Sequence, residues 1–159
     1  MYAFKIIGAL FIALGGGAVY YLLYRREHTA LRRAASWESL ATFIASQVEC
    51  FALPIGQILS AAERGVLEGC GYTGEGTPAD LREMIGSSVI EDRVTREAAV
   101  RFCGEFGREY ASGQAARCRY YAAAFEERKG RISAELPSKK RLYSTLCIAA
   151  GLAALIIFW

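Results

Sequence analysis

The amino-acid sequence predicts an all-α protein: a small antiparallel helical bundle flanked by an N-terminal and a C-terminal transmembrane helix. Two uncharged apolar runs at the ends, helical periodicity in the middle and no strand-like alternation predict this class. The chain has 159 residues and a hydrophobic content of 53%, which suits one domain with appended segments. We predict a transmembrane helix at 3–24, a helical bundle domain at 27–137 and a second transmembrane helix at 140–159.

The first apolar run extends from Ile6 to Tyr24 without a charged residue. About 20 apolar residues in a helix cross a hydrocarbon layer of about 30 Å, so this run predicts a membrane span. A cleaved secretory signal is the alternative, because Lys5 precedes the run and small residues occupy 15–18. The run continues beyond those small residues and more cations follow it, which favours a retained anchor.

The second apolar run extends from Leu142 to Trp159, with Ser144 and Thr145 as its polar residues. A helix of this composition is apolar round its whole circumference. The rest of the chain is too short to bury such a helix inside a core. The run therefore predicts a second membrane anchor.

Cations border both runs on the side of the central region. Arg25 and Arg26 follow the first run, and Lys139, Lys140 and Arg141 precede the second. The bias of Lys and Arg towards cytoplasmic loops then predicts a cytoplasmic central region. The same cations attract anionic headgroups, at about 1 kcal/mol per residue near the surface, so membrane lipid is an expected partner.

The central region begins with a long helix. Apolar residues recur at three- and four-residue steps between 31 and 48, which predicts that this helix continues directly from the first run. Pro54 should break it, because proline interrupts a helical turn and disfavours helical geometry at Leu53. A short second helix should then carry Ile55, Ile58 and Leu59.

The segment 68–80 is rich in glycine and predicts a loop. Thr77 and Pro78 predict the N-cap and first position of a short helix, and Thr95 predicts the cap of the next one. The loop lacks the lysine of the phosphate-binding pattern G-x-x-x-x-G-K-[ST], so it does not predict nucleotide binding.

The last part of the central region has a heptad pattern. Its members are Cys118, Ala122, Phe125, Lys129, Ile132 and Leu136. This pattern favours the core edge of an antiparallel bundle over an intermolecular coiled coil, and self-association into a homo-oligomer is left open. Pro137 should separate this helix from the anchor, with Ser138 as the next cap.

A charged stripe accompanies the same helix. Its members are Arg117, Arg119, Glu126, Glu127, Arg128, Lys129 and Arg131. Such a stripe is more often a solvated face than a binding surface, and contact with an acidic partner is the alternative. The net charge is only +3 and the aromatic residues fall on apolar faces, so we expect no nucleic-acid partner.

The sequence has no pattern typical of a catalytic, cofactor or metal site. The five cysteines contain no C-x-x-C pair, and His28 is the one histidine. This predicts neither a disulfide scaffold nor a zinc site, and each thiol should be a small buried hydrophobe. Glu126 and Glu127 are adjacent in a helix and do not face each other, so they form no paired-carboxylate site. We expect no enzymatic activity and no cofactor.

Three segments together resemble a known family. They read LRRAASWESLATFIASQVECFALPIGQIL, FGREYASGQAARCRYYAAAFEE and KKRLYSTLCIAAGLAALIIF. In order and spacing, over almost the entire chain, they are similar to stage III sporulation protein AB of endospore-forming bacteria. The family-motif positions are Leu53, Pro54, Gly107, Gln114, Leu142, Tyr143 and Gly151.

The resemblance implies a non-enzymatic, membrane-anchored platform component of the sporulation channel apparatus between mother cell and forespore. The family is similar to the cytoplasmic helical domain of the inner-membrane platform protein of type II secretion and type IV pilus systems. This implies a place in the mother-cell-derived outer forespore membrane, with other sporulation channel proteins and a cytoplasmic motor ATPase as partners. The alternative is an exported helical domain, with a cleaved N-terminal signal and a C-terminal anchor, that acts as a binding module.

Overall fold

The computed structural model describes the backbone of residues 2–51, 53–107 and 111–158, without the side chains of 2–14, 111, 154, 155, 157 and 158. Within these ranges the helices are α1 (Tyr2–Phe51), α2 (Ile55–Ala61), α3 (Arg64–Cys70), α4 (Leu81–Gly86), α5 (Arg93–Glu105) and α6 (Ala111–Phe158). An isolated bridge joins Tyr72 to Ser88, and the described residues contain no longer strand. The predicted all-α class and helical bundle are confirmed.

The chain divides into two compact units. The central unit comprises Ala30–Ile132, and the terminal unit comprises Met1–Thr29 and Ser133–Trp159. The central unit contains the whole of α2, α3, α4 and α5 together with the adjoining parts of α1 and α6.

Trp37 of α1 lies at the centre of the core of the central unit. Its buried ring stacks on Phe125 of α6 at a centroid distance of 5.9 Å and meets the Phe102 ring of α5 edge-on at 6.5 Å. The ring centroids of Phe102 and Tyr121 are also 5.4 Å apart. Burying an aromatic side chain of this kind contributes about 1.5–3 kcal/mol, so this cluster is a main source of stability.

In the central unit α1 and α6 run antiparallel. Glu38 of α1 pairs with Lys129 of α6, and Glu49, further along α1, pairs with Arg119, nearer the start of α6. The members of the predicted heptad seam in this unit face the core: Cys118, Ala122, Phe125 and Ile132 are buried, and Lys129 is half-buried. Leu136 belongs to the terminal unit, where it is half-buried. The assignment of the seam to the core edge is confirmed.

Pro54 ends the first long helix, as predicted. The last residue of α1 is Phe51, and Pro54 has extended backbone angles, φ −60° and ψ 144°, as the N-cap of α2. Ile58 and Leu59 of α2 are buried. Because Pro54 supplies no amide hydrogen, it cannot continue α1, and a new helix begins after it. The apolar face of that new helix, α2, lies in the core.

Helix α3 was not predicted, and its residues Glu68–Cys70 were assigned to the glycine-rich loop. The structure ends α3 at Cys70, with Gly71 as a left-handed C-cap at φ 106°. Arg33 of α1 donates from Nη1 to the carbonyls of Glu68 and Gly69, at 2.8 and 3.1 Å. The indole of Trp37 donates to the carbonyl of Cys70 at 3.0 Å. Side chains of α1 therefore satisfy the C-terminal carbonyls of α3, which a helix cannot satisfy by itself.

The predicted cap at Thr77 was wrong. Helix α4 begins at Leu81, and its N-cap is Asp80, which accepts the amide of Glu83 at 2.7 Å. Pro78 is buried outside the helix. An aspartate caps more strongly than a threonine and adds a favourable negative charge at the helix N-terminus, so the helix begins at the later position.

The predicted cap at Thr95 was also wrong. Helix α5 begins at Arg93 with Asp92 as its N-cap. Thr95 lies buried in the first turn, where its amide and its hydroxyl donate to Asp92 Oδ2 at 2.9 and 2.6 Å. Thr95 thus completes the cap that Asp92 provides. Ala99 and Cys103 of α5 are buried in the core, and Tyr110 lies outside the described residues.

Helix α6 continues through Pro137, so the predicted end of the helix there was wrong. A proline inside a helix removes one hydrogen bond and costs about 3 kcal/mol. Glu135 and Lys139 form an ion pair across it at 3.1 Å, and Ser138 donates its hydroxyl to the carbonyl of Glu135 at 2.9 Å. These contacts on both sides of Pro137 support the helix, and Ser138 is an interior residue, not a cap.

The terminal unit pairs the first part of α1 with the last part of α6. Lys139 Nζ lies 3.0 Å from Glu27 Oε2, and the Cys147 thiol donates to the carbonyl of Gly16 at 3.4 Å. The earlier residue of α1, Gly16, lies against the later residue of α6, Cys147, so these two segments are antiparallel.

Within the part of the chain that the structure describes, no helix has an apolar stretch long enough to span a bilayer. The two predicted spans include side chains outside the described residues, at 3–14, 154, 155 and 157–159. The flanking transmembrane helices therefore stay a prediction.

Candidate functional site

A groove of about 350 Å³ lies in the central unit, beside the connection between α1 and α2. Its walls come from that connection, the start of α4, the end of α5 and the start of α6. The lining residues are Leu53, Pro54, Ile55, Asp80, Leu81, Arg82, Cys103, Phe106, Gly107 and Gln114. This groove is the candidate functional site.

The groove has an apolar floor and a polar rim. Leu81 and Cys103 are buried, and Phe106 is half-buried. At the rim Asp80 and Arg82 are exposed. An apolar surface bordered by a few polar groups is typical of sites that bind a ligand or a partner segment.

The groove brings together family-motif positions that are far apart in the sequence. Leu53 and Pro54 line one wall, and Gly107 and Gln114 line another. The other three motif positions, Leu142, Tyr143 and Gly151, belong to the terminal unit, where Leu142 is exposed and Tyr143 and Gly151 are half-buried. The predicted site residues thus fall into two groups, and the sequence alone did not indicate this division.

Gly107 has a conformational role in the groove wall. Its φ is +86°, in the left-handed region that favours glycine, and among the described residues a Cβ there would have no neighbour within 4 Å. A residue with a side chain would therefore meet no clash but would cost about 1–2 kcal/mol in backbone strain. Gly107 follows Phe106, the C-cap of α5, in this left-handed conformation and lines the groove wall.

Asp80 has its carboxylate engaged in the structure of the rim. It accepts the amide of Glu83, and Glu83 Oε2 in return accepts the amide of Ala79 at 2.7 Å. Helix α2 packs closely behind this turn, because a Cβ on Gly56 would lie 2.9 Å from the carbonyl oxygen of Ala79. The reciprocal cap and the close packing fix the start of α4 as a rigid edge of the groove.

Three cysteine thiols are buried, and burial raises the pKa of each. Burial raises the pKa of Cys103 to about 12, with a further contribution from the charge of Asp80. Burial likewise raises the pKa of Cys118 to about 11 and that of Cys70 well above its usual value. At neutral pH these groups are thiols, and the thiolate is the reactive form. The predicted role as buried hydrophobes is confirmed for these three, whereas Cys50 is exposed and Cys147 is half-buried.

The charged stripe of α6 forms ion pairs within the chain. The pairs are Arg117–Glu105, Arg119–Glu49, Arg128–Asp92, Lys129–Glu38 and Arg131–Glu127, at 2.5–2.7 Å. All but the last join α6 to α1 or to the ends of α5. Arg119, Glu126, Glu127 and Arg131 are exposed, in agreement with the predicted solvated face, whereas Arg117, Arg128 and Lys129 are half-buried. An acidic partner would have to compete with carboxylates already bound to these cations.

The predicted membrane-flanking cations differ in their environment. Arg25, Arg26, Lys140 and Arg141 are exposed, whereas Lys139 is half-buried. Hydrogen bonding to Glu27 raises the pKa of Lys139, and Glu135 adds to this effect. Lys139 is thus a structural cation that joins α1 to α6.

The fold and the groove together define a class: an all-α helical bundle protein with an apolar groove that has a polar rim. Among the described residues, no group of three or more His, Cys, Asp or Glu side chains could hold a metal ion. Comparison with protein-family models, curated proteins and solved structures finds no match to this chain.

Proposed function

We propose that the chain is a non-enzymatic, membrane-anchored assembly component of the sporulation channel apparatus between mother cell and forespore. Its central unit lies in the mother-cell cytoplasm and its anchors lie in the outer forespore membrane. The observation that carries the proposal is in the terminal unit, where the first part of α1 and the last part of α6 lie side by side and expose large apolar side chains next to cations.

These exposed apolar side chains occur on both segments of the terminal unit. They are Val19, Tyr21 and Leu22 on α1, and Leu142, Leu146, Ile148, Leu152 and Ile156 on α6, each more than half exposed. Contiguous exposed apolar surface marks membrane or partner contact in proteins. A lipid layer would cover these side chains on both helices at once, which supports a double anchor.

The groove supports the part of the proposal that concerns partners. Its apolar floor would gain from burial against a partner segment, and its rim charges would set orientation. The resemblance to stage III sporulation protein AB suggests that the partners are other channel proteins and a cytoplasmic motor ATPase. Anchoring in a membrane would hold the groove near such partners and raise their effective concentration.

The chemistry of the groove favours binding over catalysis. Its carboxylate, Asp80, accepts a backbone amide as the N-cap of α4, and its thiol, Cys103, is protonated at neutral pH. A general base needs a carboxylate or imidazole aimed at substrate, and a thiol nucleophile needs a lowered pKa. Neither group meets its requirement.

The topology is tested by thiol labelling in vegetative cells that express the chain in their cell membrane. Cys50 is exposed in the central unit, whereas Cys70, Cys103 and Cys118 are buried, so a thiol reagent should label Cys50 in the folded chain. An impermeant maleimide should leave Cys50 unlabelled in intact protoplasts and label it after permeabilisation. Cys50→Ser is the control that assigns the label. Labelling in intact protoplasts would place the central unit outside and overturn the topology.

The role in sporulation is tested by deletion and complementation. Loss of the gene should block late forespore gene expression and spore formation, and the wild-type chain should restore both. Arg82→Glu at the groove rim should restore them poorly, whereas Arg96→Glu, which changes an exposed residue of α5 outside the groove, should restore them fully. Normal spores from the deletion strain would contradict the proposed function.

A further inference from the structure

We propose that the groove of the central unit binds a segment of a partner protein that carries an acidic side chain beside large apolar side chains. Arg82 pairs with the carboxylate of that segment, and the groove floor of Leu81, Cys103 and Phe106 receives its apolar side chains. This inference rests on the proposed function, which assigns partners to the groove, and it names the chemistry that selects the partner.

The two charged residues of the rim differ in how their side chains are engaged. Asp80 accepts the amide of Glu83 at 2.7 Å as the N-cap of α4, where a negative charge is favoured. Arg82 is exposed, and among the described residues it forms no ion pair and no side-chain hydrogen bond. The groove therefore offers an uncompensated positive charge, and a carboxylate complements the planar guanidinium in charge and in hydrogen-bond geometry.

Arg82 belongs to an element with a fixed start. It directly follows Leu81, the first residue of α4, whose side chain is buried in the floor. The reciprocal cap between Asp80 and Glu83 holds this turn of the chain. The backbone that carries the guanidinium is therefore fixed next to the floor, which sets how close the acidic side chain of a partner must be to its apolar side chains.

The apolar floor is held in place by the core. The Phe106 ring meets the Phe102 ring edge-on at a centroid distance of 6.2 Å, and Phe102 in turn packs against Trp37 at 6.5 Å. Phe106 is only half-buried and lines the groove, so it is available to a partner. A partner side chain thus meets a preorganised surface, which lowers the entropic cost of binding.

The openness of the groove favours a protein segment over a small molecule. Pockets for small ligands enclose most of the ligand surface. Only two of the ten lining residues are buried, and four of them are exposed, namely Pro54, Asp80, Arg82 and Gly107. A small molecule in this groove would stay largely in water, whereas a peptide segment also covers the exposed rim.

The test begins with a selection of displayed random peptides on the full-length chain in lipid nanodiscs. Empty nanodiscs remove peptides that bind lipid. The enriched peptides should share an Asp or Glu next to large apolar residues. Failure to enrich any peptide, or enrichment of peptides without an acidic residue, would overturn the inference.

An enriched peptide then reports the chemistry of the contact, with its Kd measured by fluorescence anisotropy. Replacing its acidic residue by the corresponding amide should weaken binding about threefold to fivefold, as for a partly solvated ion pair. Replacing its apolar residues by Ser should abolish binding, because the floor would then stay uncovered. Undiminished binding of either altered peptide would overturn the inference.

A charge exchange locates the site. Arg82→Glu should weaken binding of the acidic peptide and should instead prefer a peptide that has Lys at the acidic position, because like charges repel across an interface. Arg96→Glu, at an exposed position of α5 outside the groove, should leave both affinities unchanged. A reversed preference cannot come from loss of folding. Equal affinity of Arg82→Glu for the two peptides would overturn the site.

Sedimentation of the chain without peptide tests whether a second copy occupies the groove. The chain should show no association that Arg82→Glu removes, and a dimer dissociated by this variant would overturn the inference. The peptide measurements do not depend on sporulation. Normal spores from the deletion strain would therefore contradict the proposed function without changing the binding result, and the two failures are distinguishable.

Discussion

Arg128 of α6 forms a bidentate ion pair with Asp92, the N-cap of α5. Its Nη2 lies 2.7 Å from Oδ1 and its Nε lies 3.1 Å from Oδ2. The same carboxylate accepts the amide and the hydroxyl of Thr95. One side chain thus begins a helix and joins it to another. Burial by itself would raise the pKa of Asp92, but the hydrogen bonds from Arg128 and Thr95 outweigh it and lower the pKa to about 2.

Replacing Asp92 by Asn should destabilise the chain. Asparagine still caps a helix, so the main loss is the charged partner of the half-buried Arg128, and the free energy of unfolding should fall by about 1–3 kcal/mol. Urea denaturation followed by circular dichroism measures the change. Arg93→Gln removes only an exposed pair with Glu97 and should change the free energy by less than about 0.5 kcal/mol. Equal effects of the two variants would contradict the role of Asp92.

The stability of the chain should fall in acid because of the same residue. The pKa of Asp92 is lowered on folding, so its contribution is fully present above the ordinary value of 3.8 and is lost as the pH falls towards about 2. Melting temperatures across this pH range should decline less in Asp92→Asn than in the wild type. Parallel declines in the two proteins would show that other groups cause the acid sensitivity.

Gly69→Ala should separate α3 from α1. A Cβ on Gly69 would lie 2.2 Å from Ser36 Oγ and 2.9 Å from its Cβ, so the two helices would have to move apart, at a cost of about 1–3 kcal/mol. Gly65→Ala in the same helix meets no atom of the described part of the chain within 4 Å and should be neutral or stabilising. Thermal unfolding compares the pair. If Gly69→Ala is as stable as Gly65→Ala, the close approach is absent in solution.

Trp37→Phe should destabilise the chain even though the ring stays aromatic. The substitution leaves the buried carbonyl of Cys70 without its indole donor, and a buried polar group that loses its partner costs about 1–3 kcal/mol. Phe43→Leu, at a half-buried position of α1, is a control for a change of apolar shape alone. Chemical denaturation followed by far-ultraviolet circular dichroism measures both. A smaller loss in Trp37→Phe than in Phe43→Leu would contradict the importance of this hydrogen bond.

Local signals in the sequence predicted the long helices well. The apolar steps of α1 and the heptad seam of α6 depend only on which face of a helix is buried, and Pro54 acts through its own covalent geometry. These features need no knowledge of distant residues. The burial of Leu40, Ile44 and Phe125 follows directly from their periodicity.

Features that depend on distant contacts were missed or wrong. Helix α3 ends on donors supplied by Arg33 and Trp37, which lie far away in the sequence, so its own residues resemble a loop. Pro137 is tolerated because contacts of Lys139 support α6 beyond it. The groove likewise needs the fold to bring its walls together. The errors at the two helix N-caps were local. Thr77 was predicted where Asp80 caps α4, and Thr95 was predicted where Asp92 caps α5, so the acidic candidate was overlooked each time.

The dependence of α3 on α1 has a consequence for the order in which the chain folds. A helix of seven residues is too short to persist alone in water, and the carbonyls at the end of α3 have their donors on α1. During synthesis α1 emerges first and can serve as a template, on which α3 condenses once Arg33 and Trp37 are in place. Pulse-labelling hydrogen exchange should therefore find the amides of α3 protected later than those around Trp37.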